Sequence, residues 1–236
     1  MDVYMIPFAG GSQYSFGRFT GLFPADIRVR VMELPGRGSR FSEPLLDCFD
    51  DMVTDLVGKM KLVTGRPYVI YGHSMGALLG YLVTRRIFEK GMPMPEQLVV
   101  SGFGAPVHRK AKQSRHLLGR EEFWQLLINL GGVSGETAGN EELKAFYEPI
   151  LRADIQALDS YIYEPCRALD IPIIAIRGTK ESTPTTKWLD WQMESRVGAV
   201  IKEFEGDHFF IFDHIERIIS IICAPLKKLN YGIVVQ

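Results

Sequence analysis

Short runs of apolar residues alternate along this chain with longer segments in which apolar residues recur at helical spacing. The short runs are typical of buried strands, and they occupy residues 3–6, 68–71, 97–101, 171–176 and 200–204. Residues 28–33 predict a further strand, the second along the chain. The longer segments predict helices over residues 14–22, 49–63 and 77–88, and from 210 into the 220s. This alternation indicates βαβ units and a mostly parallel central sheet with helices on both faces.

The clearest amphipathic helix follows the second predicted strand. Its apolar face consists of Phe49, Met52, Val53, Leu56, Val57, Met60 and Val63. Asp50 and Asp51 lie in its first turn, where the helix dipole favours negative charge. Gly65 and Pro67 predict a break before the next strand.

One long stretch interrupts the alternation. Residues 104–168 separate two predicted strands, contain no strand pattern and carry helical periodicity at 121–130 and 141–161. This is more chain than one crossover needs. We therefore interpret residues 1–103 and 169–236 as one α/β core, and residues 104–168 as a helical lid inserted over the carboxyl edge of the sheet. A small packing subdomain without a gating role is the alternative.

Composition narrows the class of protein. The 236 residues are 46% hydrophobic and 23% charged, as in globular proteins, and the net charge of −1 gives no sign of nucleic-acid or membrane binding. The three cysteines are far apart and odd in number, so we expect buried, reduced thiols rather than disulfides or a metal site. No signal-peptide pattern precedes the first strand. We predict a cytoplasmic monomer that uses no cofactor and no metal.

The G-x-S-x-G pattern at residues 72–76 is the strongest sign of chemistry. It stands between a predicted strand and a predicted helix, which is the context of a nucleophile elbow. Gly72 and Gly76 allow strand and helix to approach closely on either side of Ser74. The pattern therefore predicts an exposed, nucleophilic Ser74. His73 is adjacent, but its backbone direction carries it away from the serine hydroxyl.

A serine hydroxyl needs a base to take its proton. His208 follows a predicted strand and comes after the serine in the chain, which fits the order serine, acid, histidine. The acid should follow the strand at 171–176, and Glu181 is the carboxylate in that loop. The alternative is a solvated Glu181, with Asp190 or Asp154 as the acid or with no acid at all.

An oxyanion hole needs two backbone N–H groups aimed at the developing charge. Met75, the residue after the nucleophile, is expected to supply one of them. Ala9 is the candidate for the other, because Gly10 and Gly11 let the backbone approach a ligand closely. A tight turn without a catalytic role is the alternative, and a phosphate site is weaker because no phosphate-binding glycine motif is present.

Four motifs carry a resemblance to a known family. They are I-P-F-A-G-G-S at residues 6–12, L-P-G-R-G at 34–38, G-H-S-M-G at 72–76 and G-D-H-F-F at 206–210. Together they resemble the type II thioesterases, stand-alone α/β-hydrolases associated with nonribosomal peptide and polyketide synthases. The resemblance implies an α/β-hydrolase fold. It also implies hydrolysis of stalled or aberrant acyl groups from the phosphopantetheine arm of carrier proteins.

The resemblance also implies roles for individual residues. Ser74 matches the nucleophile, His208 the base, and Met75 and Ala9 the oxyanion donors. The family's acid is usually an aspartate three residues after the glycine that ends the fifth strand. Glu181 occupies that position, so the position is kept and the residue type departs from the family.

A basic stretch opens the insertion, with Arg109, Lys110, Lys112, Arg115 and Arg120. We predict that Arg109, Lys110 and Arg115 contact an acidic carrier protein or the phosphate of its arm. A solvated basic face is the alternative.

Two other functions fit the same motifs. A general carboxylesterase of the same fold would share the elbow, the base and the oxyanion hole. A carrier- or acyl-binding protein with an impaired triad is the non-enzymatic alternative, because Glu181 departs from the family.

Overall fold

Six parallel strands form one sheet in the computed structural model, which describes residues 1–60, 66–110, 112–133 and 135–224. The strands are β1 (Asp2–Ile6), β2 (Arg28–Val31), β3 (Tyr68–His73), β4 (Gln97–Ser101), β5 (Ile173–Gly178) and β6 (Ala199–Phe204). Their order across the sheet is β2-β1-β3-β4-β5-β6, and all neighbours pair in parallel. The predicted α/β class is confirmed, and the carboxyl ends of the strands share one edge.

Helices connect these strands. They are α1 (Gly17–Thr20), α2 (Phe49–Lys59), α3 (Met75–Glu89), α4 (Arg120–Asn129), α5 (Gly135–Ala138), α6 (Glu141–Ser160), α7 (Thr185–Leu189) and α8 (Ile215–Cys223). The prediction for α2 was too long, because Met60 already has extended backbone. Val63 and Gly65 lie outside the described residues.

Two other predicted helices are divided. The segment predicted at 14–22 begins with a 3₁₀ turn, Gln13–Phe16, and α1 follows it. The last segment begins with the 3₁₀ turn Phe210–Phe212, and α8 starts only after His214. His214 is therefore the residue that precedes α8, not one inside it, and its Nε2 lies 2.7 Å from the carbonyl oxygen of Glu205.

The two faces of the sheet carry separate hydrophobic clusters. Tyr4 and Ile6 of β1 pack in one cluster with residues of α2 and α3. Val3 and Met5 point to the other face and pack with residues of α1 and α8. Successive side chains of a strand alternate between faces, so a strand that is apolar throughout needs helices on both sides.

The connection from β4 to β5 is the long one. It contains α4, α5 and α6, and its described residues include no named strand. Leu151 and Ile155 of α6 join the cluster that covers the α2 and α3 face. Leu151 also lies so close to Gly10 that a Cβ there would contact its Cδ2 at 2.7 Å. The described α-helices of this connection thus lie between residues 120 and 160, and α6 packs on the loop after β1.

The hydrophobicity of the helices and the state of the cysteines can be compared with the sequence predictions. Among the described residues, no helix is both long and apolar enough to span a bilayer. Cys48, Cys166 and Cys223 are free thiols, as expected. They are half-buried, however, and not fully buried as the sequence suggested.

Candidate active site

The turn between β3 and α3 presents Ser74 in a strained conformation. Its φ is 56° and its ψ is −121°. Among the described residues, Ser74 is the only one besides glycines that has a positive φ. A Cβ on Gly72 would overlap the carbonyl oxygen of Gly76, and a Cβ on Gly76 would overlap that of Ile6. Both glycines are thus required for the close packing of β3, α3 and β1 that raises Ser74 above the sheet.

His208 lies between Ser74 and Glu181 in a continuous hydrogen-bonded chain. Its Nε2 is 2.9 Å from Ser74 Oγ, and its Nδ1 is 2.8 Å from Glu181 Oε1. A carboxylate can only accept, so Nδ1 carries the proton and Nε2 accepts from the serine hydroxyl. The three predicted residues are therefore brought together in the geometry of a nucleophile, a base and an orienting acid.

Glu181 owes its position to the turn that follows β5. Its own N–H donates to the Gly178 carbonyl, and its Oε2 accepts the Gly178 N–H at 3.0 Å. The side chain is 7% exposed. The extra methylene of glutamate is accommodated because the carboxylate folds back over its own turn before it reaches His208.

The alternative acids have other partners. Asp190 lies 2.7 Å from His108 Nε2. Asp154 is fully buried and pairs with Arg37. Neither is hydrogen-bonded to His208, so the geometry favours Glu181 over the two other acids that the sequence left open.

Met75 and Ala9 are the residues whose backbone N–H groups are predicted to form the oxyanion hole. Met75 begins α3, where the first N–H groups have no intrahelical partner and the helix dipole favours negative charge. Ala9 lies in the loop after β1, next to Gly10, whose φ is 75°. Within the described residues, neither N–H donates to an acceptor of the protein. Both are therefore free to bind an oxyanion.

A cavity of about 640 Å³ opens beside Ser74. Phe8, Ala9 and His208 line it on the side of the core. Its apolar wall comes from the insertion and consists of Leu127, Leu151, Ile155 and Leu158. The volume falls in the range of small-molecule sites and leaves room for an acyl chain next to the serine.

The basic stretch divides into inward and outward residues. Arg109 lines the cavity, and its guanidinium lies 5.2 Å from the ring centre of Phe103. Arg115 also lines the cavity and donates to Asp159 Oδ1 at 2.7 Å. Lys110 is exposed. The three residues predicted to contact a carrier protein therefore do not form one solvated face.

His73 is a part of the site that the sequence did not assign. It is fully buried, its Nδ1 lies 2.9 Å from Ser101 Oγ, and its ring centre is 5.1 Å from that of His208. Burial lowers the pKa of His73 well below its ordinary value of 6.5, and the charge of His208 acts in the same direction. A neutral, buried His73 thus lies beside the ring of His208. The sequence signal for the burial of His73 was its position at the end of β3, a strand whose residues are all buried.

The low pKa of His73 predicts a loss of stability in acid. Below pH 6.5 the unfolded chain binds a proton that the native His73 does not, so the unfolded state is favoured as the pH falls. As the pH falls from 7.5 to 5.5, we expect this group to lower the free energy of unfolding by about 1.4 kcal/mol in total. Urea denaturation between pH 7.5 and 5.5 measures the slope. His73→Gln should have a shallower slope, and equal slopes in the two proteins would contradict the assignment.

Comparison with known proteins gives a consistent result. The family model described as "Thioesterase domain" matches residues 1–226. The gramicidin S biosynthesis protein GrsT of Aneurinibacillus migulanus is 32% identical, over 96% of this chain and 89% of that protein. Thioesterase PikA5 of Streptomyces venezuelae is 26% identical, over 94% of this chain and 79% of that protein.

Solved structures agree with these matches. The type II thioesterase BorB from the borrelidin biosynthetic cluster superposes with a TM-score of 0.85 at 28% identity, over 94% of this chain and 91% of that one. ClbQ from the colibactin NRPS/PKS pathway superposes with a TM-score of 0.87 at 28% identity, over 94% of each chain. The similarity thus extends over nearly the whole length of both proteins.

Proposed function

The chain belongs to the thioesterase family, and we propose that it hydrolyses acyl thioesters from the phosphopantetheine arm of carrier proteins. Its role is then to remove stalled or aberrant acyl groups in nonribosomal peptide or polyketide synthesis. The observation that carries this proposal is the chain of hydrogen bonds from Ser74 through His208 to Glu181. These three residues line a cavity that is large enough for an acyl chain.

Acylation follows from the geometry of these three residues. Ser74 Oγ attacks the thioester carbonyl carbon, and its proton passes to His208 Nε2. Glu181 stabilises the imidazolium and holds its Nδ1–H. The N–H groups of Ala9 and Met75 bind the oxyanion of the tetrahedral intermediate. When the intermediate collapses, the C–S bond breaks, and the departing sulfur takes the proton from His208.

Deacylation repeats the same steps with water. His208 removes a proton from a water molecule that attacks the ester carbonyl of acyl-Ser74. The second tetrahedral intermediate expels the serine oxygen, which recovers its proton from His208 and leaves the free carboxylic acid.

The leaving group favours a thioester over an oxygen ester. A thiol has a pKa near 8.5, far below that of an alcohol, so its anion leaves readily. Matched acyl thioesters and oxygen esters of one chain length test this preference. We expect a higher kcat/KM for the thioester. Equal values would support the general carboxylesterase instead.

The exposed part of the basic stretch is the proposed carrier contact. Reversal of charge at Lys110 and Lys112, both exposed, should raise KM for an acyl-carrier protein by roughly tenfold, because it removes electrostatic steering. The KM for an acyl-pantetheine, which lacks both protein and phosphate, should not change. Arg109 and Arg115 line the cavity, where they can meet the phosphate of the arm.

Lys59→Glu with Lys90→Glu is the matched control. Both lysines are exposed, and Lys90 follows the far end of α3, the 15-residue helix that starts at the nucleophile. A helix of that length ends about 22 Å from its start. An equal rise of KM in this control would attribute the effect to net charge and contradict a carrier contact at Lys110.

The proposal extends to the domain organisation, the oligomeric state and the location of the protein. Helices α4 and α6 supply one wall of the cavity, which supports a lid formed by residues 104–168 on a core of residues 1–103 and 169–236. One chain supplies all the proposed site residues, so the protein is proposed to act as a monomer. A cytoplasmic location stays a prediction.

A further inference from the structure

The arginine of the L-P-G-R-G motif is buried in an ion pair far from the surface. Arg37 lies in the loop after β2, and its guanidinium donates to both carboxylate oxygens of Asp154 on α6, at 2.6 and 2.8 Å. The side chains are 3% and 0% exposed. This bidentate pair joins the core to the helical insertion, and the steps of the proposed mechanism do not use it.

The same carboxylate also binds the loop that carries an oxyanion donor. Asp154 Oδ2 accepts the N–H of Gly10 at 2.7 Å. This N–H belongs to the peptide that joins Ala9 to Gly10. Gly10 has a φ of 75°, and Leu151 of the same helix packs against it. Helix α6 therefore holds this peptide by a hydrogen bond and by a van der Waals contact.

From this contact we propose that Arg37 and Asp154 are positioning residues that set the orientation of the Ala9 N–H in the oxyanion hole. The proposal rests on the proposed function. A glycine-containing loop has few side chains to hold it, so an external acceptor fixes its peptide planes. A displacement of about 1 Å in a catalytic group can cost on the order of a hundredfold in rate.

Arg37 contributes a second effect through its charge. A lone buried carboxylate near the oxyanion hole would repel the negative charge that develops there. The bidentate guanidinium neutralises Asp154 and leaves its Oδ2 available as an acceptor for Gly10. The pair thus holds the loop without placing net charge beside the transition state.

If the Arg37–Asp154 pair only stabilised the fold, its replacement by apolar residues would not affect the oxyanion hole. A double variant separates this structural role from the positioning role. Arg37→Met with Asp154→Leu replaces a buried ion pair with apolar side chains of similar size, a change that often preserves stability. It removes the acceptor for the Gly10 N–H. The loops after β1 and β2 stay joined in this variant, because Glu33 accepts the N–H groups of Gln13 and Ser39, each at 2.8 Å.

The readout has to report on the oxyanion hole itself. An alkylboronic acid adds to a catalytic serine and places a tetrahedral anion in that hole, whereas KM reflects binding of the ground state. In the double variant we expect kcat for an acyl-pantetheine thioester to fall by about 10- to 100-fold. The inhibition constant of the boronic acid should rise by a similar factor, with KM changed less than about threefold.

Asp55→Asn is the matched control for loss of an ion pair. Asp55 accepts from both terminal nitrogens of Arg40 at 2.6 and 2.7 Å, and so ties the loop after β2 to α2. Among the described residues, it forms no hydrogen bond or ion pair with the loop after β1. We expect kcat and the boronic acid inhibition constant of this variant to stay within about twofold of wild type.

The outcomes separate this proposal from the function on which it rests. A folded double variant with wild-type kcat and wild-type boronic acid affinity overturns the positioning role, as does a fall in kcat with unchanged affinity. Asp154→Ala also removes the acceptor for the Gly10 N–H and, with active sites counted by a fluorophosphonate, supplies the same test if the double variant does not fold. A wild-type protein that binds the boronic acid but hydrolyses no thioester would refute the proposed function alone, and boronic acid affinity would still test the positioning.

Discussion

Replacement of Ser74 by alanine should lower kcat for an acyl-pantetheine thioester by about 10⁶-fold. The loss is this large because the residues of a triad act as a unit, and without the hydroxyl 2.9 Å from its Nε2 His208 has no nucleophile to activate. The oxyanion donors should leave a small residual rate above that of water. Single-turnover kinetics with a saturating amount of enzyme measure both rates.

Ser101→Ala is the matched control for this prediction. Ser101 is also hydrogen-bonded to a histidine, His73, but both residues are fully buried. Its hydroxyl therefore has no access to a substrate in the cavity. We expect its kcat to stay within about tenfold of wild type. A reversal, in which Ser101→Ala abolishes hydrolysis and Ser74→Ala does not, would show that the nucleophile is misassigned.

Glu181→Gln should lower kcat by roughly 10⁴-fold. An amide cannot stabilise the imidazolium of His208, and it can hold the ring in the wrong tautomer. The side chain stays the same length, so the contact of its oxygen with the Gly178 N–H can persist. Steady-state kinetics of folded protein, judged by its unfolding transition, give the factor.

Two further variants sharpen the assignment of Glu181. Glu181→Asp keeps a carboxylate and introduces the aspartate that is usual at this position in the type II thioesterases. We expect this variant to lose less activity than Glu181→Gln. Asp190→Asn should have little effect, because Asp190 contacts His108 and not His208. If Glu181→Gln were nearly as active as wild type, the acid would have to be another residue.

The sheet and the nucleophile turn could be predicted because their signals are local. The inner strands β1, β3, β4 and β5 are buried on both faces, so they are nearly continuous apolar runs, and residues such as Val3 and Tyr4 leave no ambiguity between strand and loop. Element ends were less predictable. The end of α2 at Lys59 depends on the extended backbone of Met60, which the apolar periodicity did not predict.

The position of Glu181 next to His208 was predictable from spacing, whereas the pairing of Asp154 with Arg37 was not. The position of Glu181 follows from the glycine that ends β5, three residues earlier in the chain. The partner of Asp154 is separated from it by 117 positions, and their pairing depends on how the insertion folds over the core. His73 lies between these cases, since its burial follows from strand alternation but its contact with Ser101 requires the register of β3 and β4.

Hydrolysis of a carrier-bound acyl group by Ser74 can be followed by mass. A carrier protein loaded with an acyl-phosphopantetheine arm is incubated with the wild-type protein or with Ser74→Ala, and the intact mass of the carrier is followed. We expect the wild-type protein to return the carrier to its free-thiol form and to release the carboxylic acid, while Ser74→Ala leaves the acyl group in place. Retention of the acyl group across a panel of chain lengths in the wild-type reaction, or equal loss in both reactions, would contradict it.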